Sequence, residues 1–218
     1  MADTYLLVIV AVLVIILTLL ITKRFKKSQY TILLTGLSDA GKTAIFSRIV
    51  FNKPKKSVTS LKENEAEVAD LNIKLIDLPG AERLRVRLWD QYRARARHIM
   101  YVVDSTQLES KFRDASDYLY QLLADEIVHK NKVLFTIVCH KQDLENALDK
   151  AQVQAIIEKE LNAIKNTKKG QLGKTSEEED NDYMLQRFDQ KAISLDSLSI
   201  NLIETSIHNL DQFIKAML

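Results

Sequence analysis

Short apolar runs recur along the chain, each closed by polar or turn-forming residues. Tyr30–Thr35 (YTILLT), Asn72–Asp77 (NIKLID), His98–Val103 (HIMYVV) and Lys132–Cys139 (KVLFTIVC) are rich in β-branched and aliphatic side chains. That pattern predicts strands buried on both faces. Between them the apolar positions fall at helical spacing over Lys42–Phe51, Leu84–Ala96, Glu109–His129 and Asp149–Ile164. Strand alternating with helix predicts right-handed crossovers and a doubly wound α/β fold with a mostly parallel sheet. Asn64–Asp70 is too close to Asn72 for a crossover, which predicts one antiparallel edge strand. Ser199–Glu204 and Asn209–Leu218 supply a last strand and a closing helix. From Lys165 to Asp182 the apolar pattern stops and Lys-Lys, two glycines and an acidic block follow, a composition that predicts a mobile surface insertion over 165–182.

The longest uncharged run lies elsewhere. No residue from Thr4 to Thr22 is charged, and nineteen residues at about 1.5 Å each reach about 28 Å, close to the hydrocarbon thickness of a bilayer. A cleaved signal would begin with a basic segment and end at small residues; here Asp3 precedes the run and Lys23, Arg24, Lys26 and Lys27 follow it. The sequence therefore predicts an N-terminal membrane anchor with its basic stop over residues 1–27 and a globular domain over 28–218. The basic flank predicts that the N-terminus is lumenal and the domain cytosolic. A buried core helix and a removed signal are the competing readings.

Composition narrows the rest. The 218 residues carry 31 Lys and Arg against 29 Asp and Glu, a net charge of +2, which excludes a strongly basic nucleic-acid arm and an acidic disordered chain. One cysteine, Cys139, excludes an internal disulfide framework, and four histidines argue against an imidazole-rich metal cluster. Cys139, Trp89 and Tyr92 are predicted core residues.

The chemistry concentrates at the ends of the strands. Gly36-Leu37-Ser38-Asp39-Ala40-Gly41-Lys42-Thr43 fits G-x-x-x-x-G-K-[ST] between a strand and a helix, the context a phosphate-binding loop requires. There the glycines let the backbone wrap a phosphate, Lys42 neutralises β- and γ-phosphate charge, and the Thr43 hydroxyl is a magnesium ligand. Asp77-Leu78-Pro79-Gly80 follows 35 residues beyond Lys42. It predicts a carboxylate that holds magnesium and a Gly80 amide that meets the γ-phosphate. Cys139-His140-Lys141-Gln142-Asp143 follows a further strand. Asp143 can accept from guanine N1–H and its exocyclic amine together, and the Lys141 stem can lie over the purine, which favours GTP over ATP.

On these motifs the chain resembles the small-GTPase superfamily across nearly all of Ser28–Leu218. Combined with the anchor and Val102-Val103-Asp104-Ser105, it resembles, among Arf- and Sar-like proteins, the family of signal recognition particle receptor beta subunits. That resemblance implies Thr59, in the first switch, on magnesium and the γ-phosphate, and Ser206 with the Ile207 backbone on guanine. Thr205-Ser206 can alternatively cap the final helix. It implies GTP and Mg²⁺ as cofactors and the N-terminal domain of the receptor alpha subunit as partner. It further implies a single-pass protein of the endoplasmic reticulum membrane that serves co-translational targeting near ribosome and translocon, with no specific nucleic-acid binding. A cycling vesicle-budding GTPase of Arf or Sar type is the alternative. Two departures stand out: His140 replaces the usual Asn or Thr, and Ala81 replaces the water-positioning residue, so no catalytic residue is assigned and slow GTP hydrolysis is expected. Arg83 and Arg85 are the nearby arginines able to substitute for it.

Overall fold

The computed structural model describes residues 5, 12, 14, 15, 18, 30–52, 62–172, 183–188 and 190–217. Among the described residues six strands, β1 (Tyr30–Thr35), β2 (Asn64–Val68), β3 (Ile73–Asp77), β4 (His98–Asp104), β5 (Leu134–His140) and β6 (Asn201–Glu204), form one sheet in the order β2-β3-β1-β4-β5-β6. All neighbours are parallel except β2 and β3, which are antiparallel. The helices are α1 (Lys42–Phe51), α2 (Glu82–Tyr92), α3 (Leu108–Leu123), α4 (Glu126–Lys130), α5 (Lys150–Leu172), α6 (Tyr183–Arg187) and α7 (Asp211–Met217).

The period of two along each strand divides the core. Leu33, Ile76, Ile99, Tyr101, Val103 and Ile137 point to one face, where Leu88 and Trp89 of α2, Leu119 of α3 and Val153, Ile157 and Leu161 of α5 cover them. Ile32, Leu34, Leu75, Met100, Val102 and Val138 point to the other, under Ile45 and Phe46 of α1 and Phe213 and Met217 of α7. Strands carrying apolar residues at successive positions are thus satisfied on both sides, as their composition requires.

Four differences from the predicted elements change packing or continuity, and the remaining ends lie within two residues of expectation. The helix predicted over Leu84–Ala96 starts at Glu82 and gives way to a 3₁₀ turn at Arg93–Arg95. The continuous helix predicted over Glu109–His129 is two helices, because Asp125 leaves helical geometry and its carboxylate accepts from the amides of Ile127 and Val128 as an N-cap. The predicted strand Asn64–Asp70 ends at Val68, and residues 69–71 form a 3₁₀ turn.

The fourth concerns the predicted insertion. Helix α5 continues eight residues past Ile164 to Leu172. Lys165 extends the Val153, Ile157, Leu161 stripe by one more turn. It is buried, and its Nζ donates to the Phe188 carbonyl at 3.0 Å and the Lys191 carbonyl at 2.6 Å. The cation therefore ties α5 to the segment after α6. Residues 173–182 lie outside the described residues, as does most of the predicted anchor, of which Tyr5, Val12, Val14, Ile15 and Thr18 are helical and exposed. Among the described residues no helix is long and apolar enough to cross a membrane.

Candidate nucleotide site

Parallel strands deliver their C-terminal ends to one edge of the sheet, where loops gather at a switch in strand order. The loop after β1 turns back through left-handed backbone at Gly36 (φ 139°), Asp39 (φ 63°) and Gly41 (φ 97°), then enters α1 with Gly41 as its N-cap. A Cβ on Gly36 would stand 2.3 Å from the Val102 carbonyl oxygen, so the turn closes onto β4 only because no side chain is there. Among the described residues no side chain caps α1, which leaves its N-terminus and dipole facing a site for an anion. Lys42 is buried and reaches back over the loop, donating from Nζ to the carbonyls of Gly36 (3.0 Å) and Leu37 (2.6 Å). Burial lowers its pKa to about 8, against the opposing pull of Asp77 and Asp39. An ammonium in this position gains most when a phosphate completes its surroundings.

Asp77 closes β3 beside it. Its Oδ2 accepts from the Thr43 hydroxyl at 2.7 Å and from Asn64 Nδ2 at 3.0 Å, while its Oδ1 is buried with no hydrogen-bond partner among the described residues. Burial raises the Asp77 pKa, and the bonds from Thr43 and Asn64 pull the other way. A buried carboxylate oxygen without a donor, next to a hydroxyl, is hard-oxygen chemistry that fits Mg²⁺. Thr43 and Asp77 would hold the ion. Gly80 follows at close quarters: a Cβ there would lie 2.4 Å from the Ser38 amide nitrogen. The loop after β3 and the phosphate loop are therefore in backbone contact. Thr59, the further expected ligand, lies outside the described residues.

The base-side loops are knitted to the same place. His140 is buried, and a Cβ on Gly41 would come 2.4 Å from its Cδ2. His140 Nδ1 and the Thr205 hydroxyl share a hydrogen bond of 3.0 Å. Burial, and secondarily the Lys141 charge, lower the His140 pKa to about 4, so the ring is neutral at physiological pH. Backbone bonds from Thr205 N to the Cys139 carbonyl (2.9 Å) and from Gln142 N to the Thr205 carbonyl (3.1 Å) extend the β5–β6 pairing into the loops. Lys141, at φ 68°, puts its Nζ 2.6 Å from Asp104 Oδ2. Burial would raise Asp104, but the bonds from Lys141 and Thr106 prevail and lower it.

Asp143 is exposed and Ile207 half-buried. The Ser206 hydroxyl accepts from the His208 and Asn209 amides, while α7 starts only at Asp211. It holds a turn before the helix and is not the helix cap. Sequence reasoning missed Asn64, Asp104 and Thr205 as partners. The strand-end position of Asp104 signalled it; the other two depend on which loops the sheet order places side by side. Arg85, a candidate substitute for Ala81, lies with its guanidinium carbon 4.4 Å from the centroid of the Tyr118 ring. Trp89 is core as expected, its indole donating to Asp125 at 2.8 Å.

A family model for the signal recognition particle receptor beta subunit matches residues 27–202. The signal recognition particle receptor subunit beta of Rattus norvegicus is 37% identical over 174 residues, 76% of this chain. The chain spans 65% of that protein's length. A solved structure of the mammalian SRP receptor superposes with a TM-score of 0.73 at 29% identity, covering 86% of this chain and 97% of that one. An SRb-GTP/SRX complex from Chaetomium thermophilum shares the fold, with a TM-score of 0.59 at 21% identity, covering 82% of this chain and 91% of that one.

Proposed function

The chain belongs to the signal recognition particle receptor beta subunit family, and from that premise we propose that it is a membrane-anchored guanine-nucleotide-binding subunit that recruits the receptor's alpha subunit in its GTP state. The observation that carries the nucleotide reading is the convergence of Lys42, Thr43, Asp77 and Gly80 on one loop, with the base-side loop locked to it through His140 and Gly41. Each residue then has a physical role. The open amides of α1 and the Lys42 ammonium bind phosphate charge, and Thr43 and Asp77 orient the metal side. Asp143 selects guanine by accepting two donors that adenine does not present in that pattern. Thr43 and Asp77 would hold Mg²⁺, which would supply positive charge to neutralise the phosphates.

Gly80 connects this site to partner binding. Its amide stands at the phosphate loop with no room for a side chain, so a γ-phosphate is felt directly by the loop that leads into α2. Ordering of such a loop by a γ-phosphate is the usual way a switch surface is offered to a partner. Family membership and the existence of an SRb-GTP/SRX complex among proteins of this fold support an alpha-subunit partner. The uncharged run Thr4–Thr22 and its basic flank support a single span in the endoplasmic reticulum membrane with residues 28–218 in the cytosol.

The deciding experiment is purification of the full chain in detergent, followed by release and chromatographic identification of its nucleotide. Guanine nucleotide is expected, with retention lost on chelation of magnesium; adenine nucleotide, or none from a folded protein, overturns the assignment.

A further inference from the structure

Opposite the nucleotide loops, the N-terminal ends of the parallel strands form the other end of the sheet. Tyr30 starts β1 there. The Arg97 amide donates to the Thr31 carbonyl at 2.9 Å, and the Leu134 amide donates to the Arg97 carbonyl at 3.0 Å. Three cations, Arg95, Arg97 and Lys132, are exposed around these starts and make no ion pair among the described residues. Leu134, the first residue of β5, is 57% exposed in their midst. The charged neighbours are Lys130, compensated by Glu126 at 2.6 Å, Glu65, which feels the Arg95 charge and is itself paired with Lys74 at 2.5 Å, and at the far edge Asp70. The surface is a cationic ring about an aliphatic side chain.

We propose that this end of the sheet is a contact surface for the anionic phospholipid headgroups of the membrane that holds the anchor. The proposal rests on the anchor reading above. From Thr22 to Tyr30 the chain has eight peptide steps, which span at most about 28 Å fully extended. A domain of this size is about 40 Å across, so the edge at Tyr30 is the one the tether keeps near the headgroups. Lys and Arg are attracted to an anionic leaflet within about a Debye length, roughly 10 Å. An exposed leucine between them suits the boundary of headgroup and acyl chain. The nucleotide end, by the same geometry, points away from the bilayer and stays open to a partner.

The test places an environment-sensitive fluorophore at Leu134→Cys in the full chain. Cys139, the sole native thiol, is buried and does not compete. A second label at Glu109→Cys, at the start of α3 near the nucleotide loops, is the comparison. Both proteins are reconstituted into phosphatidylcholine vesicles with or without phosphatidylserine, with spin-labelled lipid as quencher. With phosphatidylserine, quenching at residue 134 is expected to exceed that at residue 109 at least about threefold. High salt, or Arg95→Glu with Arg97→Glu and Lys132→Glu, is expected to abolish the excess while the nucleotide stays bound. If the triple variant does not fold, the salt dependence of the labelled chain alone decides. Equal quenching at the two sites in a chain that floats with the vesicles overturns this proposal and leaves the anchor standing. A chain that does not float overturns both. A response of the Leu134 label to added tRNA, without vesicles and as large as that to phosphatidylserine, assigns the surface to nucleic acid and overturns the lipid reading.

Discussion

The imidazole of His140 packs against the α-carbon of Gly41, in a gap that a single methyl group would close to 2.4 Å. One contact thus joins the phosphate loop to the base-side loop, and the Thr205 hydroxyl holds the ring from behind. Gly41→Ala is expected to abolish nucleotide binding, because φ 97° strains any side chain and the added carbon meets the ring. His140→Ala removes the contact and leaves the Thr205 hydroxyl without its partner, worth about 1 to 1.5 kcal/mol. Nucleotide dissociation is expected to accelerate about tenfold, with His140→Asn close to wild type. Release of a fluorescent GDP analogue measures all three.

On the proposed reading Asp143 selects the base, so Asp143→Asn is expected to weaken GTP and improve xanthosine triphosphate, whose second oxo group accepts from the amide. Competition binding with GTP, xanthosine triphosphate and ATP checks it. ATP competing as well as GTP for the wild-type chain would remove this role from Asp143.

Hydrolysis is expected to be slow. On the proposed reading Ala81 offers a methyl group where a water must be oriented, and Arg85 is stacked on Tyr118. Single-turnover hydrolysis by the chain alone is expected on the order of 10⁻⁴ s⁻¹. Arg85→Ala should leave this rate unchanged, and Ala81→Gln should raise it. Completion within seconds would show that Ala81 is no deficiency.

Acid stability follows from two buried imidazoles. Burial lowers His98 and His140 to about 4 from the ordinary 6.5. Between those values the unfolded chain binds more protons than the folded one, so stability rises with pH from about 4 to 6.5 and falls as pH is lowered through that window. Urea denaturation at several pH values is expected to show this slope, reduced in His98→Gln. The His98 Nε2 bond to the Thr136 hydroxyl at 2.8 Å gives the glutamine amide a partner.

Lys165 is expected to matter as much as an aliphatic core residue. Lys165→Met keeps the stem but leaves the Phe188 and Lys191 carbonyls without their cationic donor, and a loss of about 1 to 3 kcal/mol is expected in urea. Lys159, exposed on the same helix, gives the comparison: Lys159→Met is expected to lie within about 0.5 kcal/mol of wild type.

Where the sequence was legible, the signal was local and strong. Apolar runs such as HIMYVV have no satisfactory place except a strand covered on both faces, and the glycine pattern of residues 36–43 forces a tight left-handed turn before a helix. Lys165 reads as a solvated charge because Asn166, Thr167, Lys168 and Lys169 follow it; only the fold brings carbonyls to it. Asp125 reads as one more helical position because an N-cap inside a polar stretch has no periodicity of its own. Asn64 and Thr205 were hidden for a third reason. Each acts across the sheet, and strand order is not written in any one segment.

The β4–β5 ladder runs without stagger, from His98 opposite Leu134 to Asp104 opposite His140. Chain length in this ladder is therefore a hidden constraint on the site. One residue added or removed within β5 would invert every side chain after it, turning His140 away from Gly41 and misplacing Lys141 from Asp104 while leaving each motif spelled as before. Near the far end of α5, where a Cβ on Gly170 would meet nothing within 4 Å among the described residues, an added residue displaces none of them. The molecule is thus expected to accept insertions of several residues at one pole and not a single one between Lys132 and Asp143, a contrast that a scan of one-residue insertions would expose directly.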